Sequence, residues 1–430
     1  MSRKIAYAGM LLAVDTVLFL MVNVFQTNTI FLLGLASLPI AIVIMNWGPK
    51  TGIAFYIASL VISFIAMANK IHWIIYVLTF GMYGLIKFII EQDRPIYIEY
   101  ILKQYFNDIN YSVKDGNSGM NNTTKFLVIN EEEYVLRIYE SHNDKKKVGF
   151  EHKILEELNR RNLSFVIPNP KVNFKGDTVA LSIDGKLASL SKAIKGNNPY
   201  LKDKKQFYSL GKAVGEITRE LSQVKIEIQS SYQPCYELEK SYPTCPLKDV
   251  IDFCDNPPED FKSERGILGG LKKYFIEFKD IIPILRELPH QFIHGDSNSS
   301  NVLEDEKRNI CAILDFEFTA RDLRCMDLAI CLSEAIANDE DDKVKFDNIT
   351  NFMTGYKKFI SLTDDEIKVM PYLIMLRRLD VIIHFLVRYN EGINNSYITA
   401  DKVLREQLIK GRRLCRWVEE NTNRIREILK

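Results

Sequence analysis

Two acids and an amide in the second half of the chain are spaced for phosphate chemistry. The run Ile293-His294-Gly295-Asp296-Ser297-Asn298-Ser299-Ser300-Asn301 places an asparagine five residues after an aspartate. Fourteen residues past Asn301, the apolar run Ala312-Ile313-Leu314 ends in Asp315. A carboxylate kept away from metal, here Asp296, can accept the proton of an attacking hydroxyl. The oxygen of Asn301 and the carboxylate of Asp315 suit Mg2+, a hard cation that takes oxygen ligands, held against the phosphates of a nucleotide. Little covalent work falls to the protein in such a transfer, so position and charge carry it. His294, two residues before the base, is read as orienting backbone rather than carrying protons.

A second phosphate-facing segment lies upstream. Gly116-Asn117-Ser118-Gly119-Met120-Asn121-Asn122-Thr123 precedes an apolar strand. Its small residues let backbone N–H groups approach phosphates, which makes Gly119, Asn121 and Asn122 candidate nucleotide-binding positions. The segment is not a Walker A loop, which requires Gly-Lys-Ser/Thr.

These segments need a scaffold, and the patterning supplies one. Residues 124–130 and 134–139 alternate like paired strands, with a turn expected over Glu131–Glu133, and 149–159 has helical spacing. Strand-like runs return at 172–174 and 178–183. From Pro199 on, the pattern is mainly helical: 205–222, 267–288, 326–338, 344–360, 364–390 and 399–429. Thr363-Asp364-Asp365-Glu366 reads as a capping box for the fifth of these helices. A small sheet domain followed by a larger helical one is the expectation.

The front of the chain is a different material. Residues 1–90 hold five basic residues (Arg3, Lys4, Lys50, Lys70, Lys87) and one acid, Asp15, out of 56 basic and 55 acidic residues in the whole chain. Four apolar stretches, 5–25, 30–47, 51–68 and 71–90, each approach the roughly 20 residues that a helix needs to cross a bilayer. They predict a multi-pass cell-membrane region, and the basic residues at its start place the N-terminus and everything after residue 95 on the cytoplasmic side. Asp15, mid-way along the first stretch, is a functional acid, one that hydrogen-bonds a neighbouring helix, or a neutral protonated acid. A net charge of +1 excludes a strongly basic nucleic-acid binder. Seven scattered cysteines without a C-x-x-C pair read as reduced thiols rather than a zinc or redox site.

With these motifs in view, the chain from about 98 to 400 resembles the aminoglycoside phosphotransferase/choline kinase superfamily, nearest its type II homoserine kinase-like branch. The resemblance rests on His294, Asp296 and Asn301, on Leu314-Asp315-Phe316-Glu317, and on Met326-Asp327-Leu328-Ala329. It implies an α+β, bilobal, protein-kinase-like domain preceded by an all-α four-helix transmembrane region. The expected division is 1–93 for the membrane region, 98–195 for a nucleotide-binding N-lobe and 196–430 for a catalytic C-lobe. It implies ATP and Mg2+, with Asp296 as catalytic base, Asn301 and Asp315 as metal ligands, and His294 and Asp327 bracing the catalytic loop. The family's N-lobe lysine, which meets phosphates and pairs with a helix glutamate, is replaced here by Arg137, with Glu151 as its partner; the fork of arginine is planar and not equivalent to a lysine ammonium. Ala188–Pro199 resembles the segment that joins the lobes.

The acceptor is left open between two chemistries. Asp339–Asp342 and Asp364–Glu366 read first as solvated helix ends, but they could attract a cationic acceptor such as an amino alcohol or aminoglycoside, and Arg377 and Arg378 could equally bind a carboxylate. The expected function is a membrane-anchored transfer of the γ-phosphoryl group of ATP to a hydroxyl of a small molecule: an amino alcohol, amino acid, sugar or aminoglycoside. A nucleotide-sensing pseudokinase coupled to a membrane module is the alternative. The partners expected are that acceptor and the lipid bilayer.

Overall fold

The computed structural model describes residues 2–92, 95–114, 122–140, 142–227, 232–337, 341–392 and 399–430. The chain divides into two compact units, one of residues Met1–Ile98 and Arg388–Val403, the other of Glu99–Val387 and Leu404–Lys430.

The first unit is built from helices α1 (Ser2–Val24), α2 (Thr29–Leu35), α3 (Leu38–Trp47), α4 (Pro49–Ala66), α5 (Lys70–Ile75) and α6 (Gly81–Gln92). The second expected apolar stretch is broken near Ser37, where Pro39 opens α3, and the fourth is interrupted by a π-helical turn over Tyr76–Phe80. Two segments, Ala6–Val24 and Thr29–Trp47, are long and apolar enough to cross a membrane, while Lys50–Ala66 is a shorter apolar helix. The four-crossing expectation is therefore reduced to two segments by this measure. Apolar side chains also cover the outside of the unit: Met45 is 85% exposed, and Met10, Val24, Ile30, Phe31 and Ile65 are exposed as well. Inside, Phe19 packs edge-on against Tyr76, whose hydroxyl meets Ser59 Oγ at 2.9 Å. Asp15 is fully buried, and among the described residues neither of its carboxylate oxygens has a hydrogen-bond partner. The interhelical hydrogen bond expected as one reading of Asp15 is thus not made.

The second unit begins, after helix α7 (Pro95–Leu102), with strands β1 (Tyr111–Lys114), β2 (Asn122–Ile129), β3 (Glu132–Tyr139), β4 (Ala180–Leu181) and β5 (Leu187–Lys192). They form one antiparallel sheet in the order β1-β2-β3-β5-β4. The β2–β3 turn falls on Asn130 and Glu131, both at positive φ (49° and 70°), the geometry that matches strand twist in a two-residue hairpin. The turn is thus one residue earlier than the sequence suggested. Helix α8 (Lys145–Asn159) is capped by Asp144, which accepts from Lys146 N, and buries Val148, Phe150, Glu151, Ile154 and Leu158. The expected strand over 172–174 does not form, and 178–183 contributes only the two residues of β4.

The larger part is helical. It contains α9 (Lys204–Leu221), α10 (Leu238–Ser241), α11 (Leu247–Asp255), α12 (Arg265–Glu287), α13 (Met326–Ala335), α14 (Asp342–Tyr356), α15 (Asp364–Asn390), α16 (Ala400–Glu420) and α17 (Thr422–Leu429). At the crossing of α9 and α14 a Cβ on Gly211 would lie 1.9 Å from the Phe352 carbonyl oxygen, so only glycine permits this approach. The capping box opening α15 is made: Glu366 N donates to Thr363 Oγ1 at 3.2 Å and Thr363 N to Glu366 Oε2 at 2.8 Å. Two short hairpins carry the motif residues. Strand β6 (His290–Ile293) pairs with β9 (Ala320–Leu323), and β7 (Val302–Glu304) with β8 (Ile310–Ile313).

Candidate active site

The segment between β6 and β7 is held from below by buried polar groups. Asp327, fully buried in the first turn of α13, accepts from His294 N (2.8 Å), Gly295 N (2.9 Å) and Ser297 Oγ (3.1 Å). The ring of His294 is also fully buried. Its Nε2 donates to Leu314 O at 2.8 Å and its Nδ1 accepts from Asp296 N at 3.2 Å, which fixes the tautomer and ties the Asp296 loop to the end of β8. Glu334 receives Ser299 N at 2.8 Å and the Ser299 hydroxyl, anchoring the far side of the loop. Gly295 has φ +83°, and a Cβ there would lie 2.4 Å from Phe318 O. Gly295→Ala is therefore expected to lower stability by about 3 kcal/mol, from left-handed strain plus steric overlap, and to displace Asp296. Chemical denaturation together with turnover measures both effects, and wild-type values for this variant would refute the account.

Above this base the Asp296 carboxylate is reached by three donors. Oδ1 accepts from Asn298 Nδ2 at 2.8 Å and from Arg377 Nη2 at 2.6 Å, while Oδ2 accepts from Asn301 Nδ2 at 2.8 Å. Asn301 Nδ2 also donates to Asp296 O at 2.9 Å, so the amide nitrogen faces Asp296 and its carbonyl oxygen is turned the other way. Asp315 follows β8 in a left-handed conformation (φ 59°, ψ 73°) and opens the short helical turn Phe316–Phe318.

A second centre forms around Arg137 in mid-β3, flanked in register by Thr124 and Ser189. Its guanidinium meets three carboxylates: Glu151 Oε1 at 3.1 Å, Asp315 Oδ1 at 2.7 Å and Glu317 Oε2 at 2.5 Å. Asn122 Nδ2 donates to Glu317 Oε2 at 2.7 Å. Burial pushes the Glu151 carboxyl up to about 7, against the pull of Arg137, and burial likewise raises Glu317. A carboxyl raised in the folded state stabilises fully below its free value of 4.5, and that contribution is lost as pH rises through about 7. The melting midpoint should accordingly fall between pH 5 and 8 (roughly this window) more steeply in the wild type than in Glu151→Gln, as calorimetry across that range would show.

All the expected residues in the described part of the chain thus gather into two adjoining centres. Asp296 and Asn301 form one, supported by His294 and Asp327, and Arg137, Glu151, Asp315 and Asn122 form the other. Gly119 and Asn121 lie outside the described residues. Two participants were missed. Glu317 was quoted as part of a motif but given no role, although its place two residues after Asp315 puts it on the same short turn. Arg377 was read only as a carboxylate binder, and nothing in its sequence surroundings points to Asp296. Several acids proposed for a cationic acceptor are engaged elsewhere: Glu366 pairs with Arg324 at 2.5 Å, Asp341 caps α14, and Asp342 accepts from Trp417 Nε1 at 2.6 Å. Arg378 is turned to Gln407 Oε1 at 2.9 Å. Asp339 and Glu340 lie outside the described residues.

Comparison with known proteins fits this geometry. The family described as the phosphotransferase enzyme family matches residues 112–348, more than half of the chain. The chain belongs to this family. As a phosphotransferase it acts on a hydroxyl acceptor of a small molecule. Among curated proteins, this phosphotransferase is 23% identical over 259 residues to the homoserine kinase of Zymomonas mobilis, covering 59% of this chain and 74% of that one. It is 25% identical over 257 residues to the homoserine kinase of Beijerinckia indica, with the same coverages of 59% and 74%. Among solved structures it shares the fold of the amicoumacin kinase hAmiN, determined with AMP-PNP, Ca2+ and its ligand (TM-score 0.56, 14% identity, 77% of this chain and 96% of that one). It also shares the fold of a microcompartment-associated aminopropanol kinase (TM-score 0.53, 15% identity, 77% and 99%). The phosphotransferase unit is therefore a mixed helix-and-sheet, kinase-like fold.

Proposed function

We propose that this phosphotransferase moves the γ-phosphoryl group of ATP to the hydroxyl of a small molecule, with Asp296 as the base. The observation that carries the reading is the Asp296 carboxylate, only one-fifth exposed and oriented by Asn298 and Asn301 on a loop that His294 and Asp327 fix from beneath. The acceptor O–H gives its proton to Asp296 while its oxygen forms a bond to phosphorus. The bond from that phosphorus to the β,γ-bridging oxygen breaks, and its electron pair leaves with ADP. Arg137 is the phosphate-facing group in this reading, and Glu151, 3.1 Å away, sets the position of the guanidinium.

The donor set suits Mg2+. Asn301 and Asp315 offer oxygen only, and among the described residues no cluster of three or more His, Cys, Asp or Glu side chains forms a complete metal cage. A magnesium ion that completes its shell with phosphate oxygens and water matches such a sparse protein contribution, and it would neutralise charge on the phosphates. The presence of Asp296, Asn301 and Asp315 together supports turnover over the nucleotide-sensing alternative.

The proposal extends to location. The apolar exterior of the first unit, with its two segments of membrane-crossing length, supports attachment to a bilayer, and Arg3 and Lys4 at the start of the first segment favour a cytoplasmic catalytic unit. The test is turnover of Mg-ATP by the full chain in lipid nanodiscs against hydroxy acids, amino alcohols, sugars and aminoglycosides. Transfer to one class supports the reading. ATP binding without transfer to any of them contradicts it.

A further inference from the structure

The position of Arg377 narrows the acceptor. Resting on the phosphotransferase reading above, we infer that the acceptor carries a carboxylate near its reactive hydroxyl, that Arg377 receives this carboxylate, and that its arrival frees Asp296 to act.

The argument begins with how the base is occupied. Asn298 and Asn301, two of its three donors, belong to the same loop and move with it. Arg377 comes from α15, a separate helix 81 residues away in sequence, and lies beyond residues 112–348, the stretch that matches the family. Its Nη2 sits 2.6 Å from Asp296 Oδ1, on an oxygen that Asn298 already uses. A hydroxyl that is to donate to Oδ1 therefore competes with the guanidinium.

The guanidinium is held loosely enough to move. Among the described residues its partners are Asp296 and Asp380, the second at 3.6 Å from Nη1. Asp380 is itself oriented by Tyr242, whose hydroxyl donates to Oδ1 at 2.8 Å. With five N–H donors and one short hydrogen bond, Arg377 has most of its fork available, and the side chain is a quarter exposed. Acids close to the Asp296 loop and to Arg377 are already engaged: Glu334 accepts from Ser299, and Asp380 accepts from Tyr242.

A planar carboxylate takes an arginine fork through two parallel hydrogen bonds, a stronger arrangement than the single contact that Arg377 makes with Asp296. Drawing the guanidinium onto the acceptor clears one lone pair on Oδ1 while the hydroxyl is brought to it. An acceptor lacking the anion leaves Arg377 on the base. Selection thus operates on the reactive step as well as on binding.

The experiment uses the full chain in nanodiscs with Mg-ATP and matched acceptors: 4-hydroxybutyrate, serine and homoserine, each beside its carboxamide, with 1-amino-2-propanol as an acceptor bearing no carboxylate. The acid of the preferred pair should exceed its amide in kcat/KM on the order of 100-fold, the worth of a charge-assisted hydrogen-bonded pair. That ratio should collapse toward one in Arg377→Met and fall partway in Arg377→Lys, which keeps the charge, removes the fork and guards against a folding defect in the first variant. Equal turnover of acid and amide, transfer to 1-amino-2-propanol alone, or undiminished selectivity in Arg377→Met overturns the inference and leaves the phosphotransferase reading standing. Transfer to no acceptor in the wider panel removes that reading and this inference together.

Discussion

Asp296→Asn should bind nucleotide as the wild type does and transfer almost nothing. The asparagine keeps the size of the side chain and an oxygen for Asn298 and Arg377, but it cannot accept a proton from the acceptor. General-base assistance contributes about 10²–10⁴-fold, so kcat should fall by that factor. Nucleotide affinity should change little, because Asp296 makes no contact with Arg137, Glu151 or Glu317; its partners are Asn298, Asn301 and Arg377. One local cost is expected. The new amide nitrogen faces Asn301 Nδ2, which already donates at 2.8 Å, and two donors opposed in this way cost about 1 kcal/mol of stability. Initial-rate assays paired with nucleotide titration calorimetry separate the two effects. A variant within tenfold (roughly one decade) of wild-type kcat would show that Asp296 is not the base.

Arg137→Met should be the most damaging single change to the N-lobe. It leaves Glu151, Asp315 and Glu317 without their shared counter-charge, and two of these, Glu151 and Glu317, are nearly buried. Removing one partner of a buried ion pair costs about 3–5 kcal/mol, moderated here as the stranded acids take up protons. Stability should therefore fall by that order, with the deficit largest above neutral pH, where the acids must ionise. ATP affinity should fall with it. Arg137→Lys restores the charge but presents one ammonium where the fork now reaches three carboxylates, so it should recover only part of the loss. Urea denaturation at pH 6 and pH 8, followed by ATP titration, makes the comparison. A Met variant that unfolds like the wild type at both values would mean that the three contacts contribute no net stability.

The distribution of what could be read in advance follows the range of the interactions involved. The loop around Asp296, the strand ending at Asp315 and the capping box at Thr363 are local, so residue type and spacing reveal them. Arg137 with Glu151 was also within reach, since strand and helix are sequence neighbours. The bond from Arg377 to Asp296 crosses 81 residues and that from Arg137 to Glu317 crosses 180, distances at which no periodicity carries information. Helices α10 and α11 were passed over because Pro234, Pro243 and Pro246 punctuate the segment, and the apolar signal between them is short. In the first unit, composition was legible and continuity was not. Apolar content does not register the interruption at Ser37 or the π-helical turn at Tyr76–Phe80, and those interruptions decide how long each helix runs.

Both carboxylates to which the proposed chemistry is assigned, Asp296 and Asp315, rest against guanidinium groups of the same chain. The catalytic unit therefore presents itself to solution as a set of closed ion pairs rather than as a bare cationic funnel. On the proposed mechanism charged ligands would enter by exchange, phosphate displacing one internal contact and the acceptor's acid and hydroxyl finding their partners as the pairs reopen. Long-range attraction is weak toward such a pre-neutralised surface, so the rate of nucleotide association should respond only shallowly to ionic strength, while the rate of dissociation carries most of the discrimination between ligands.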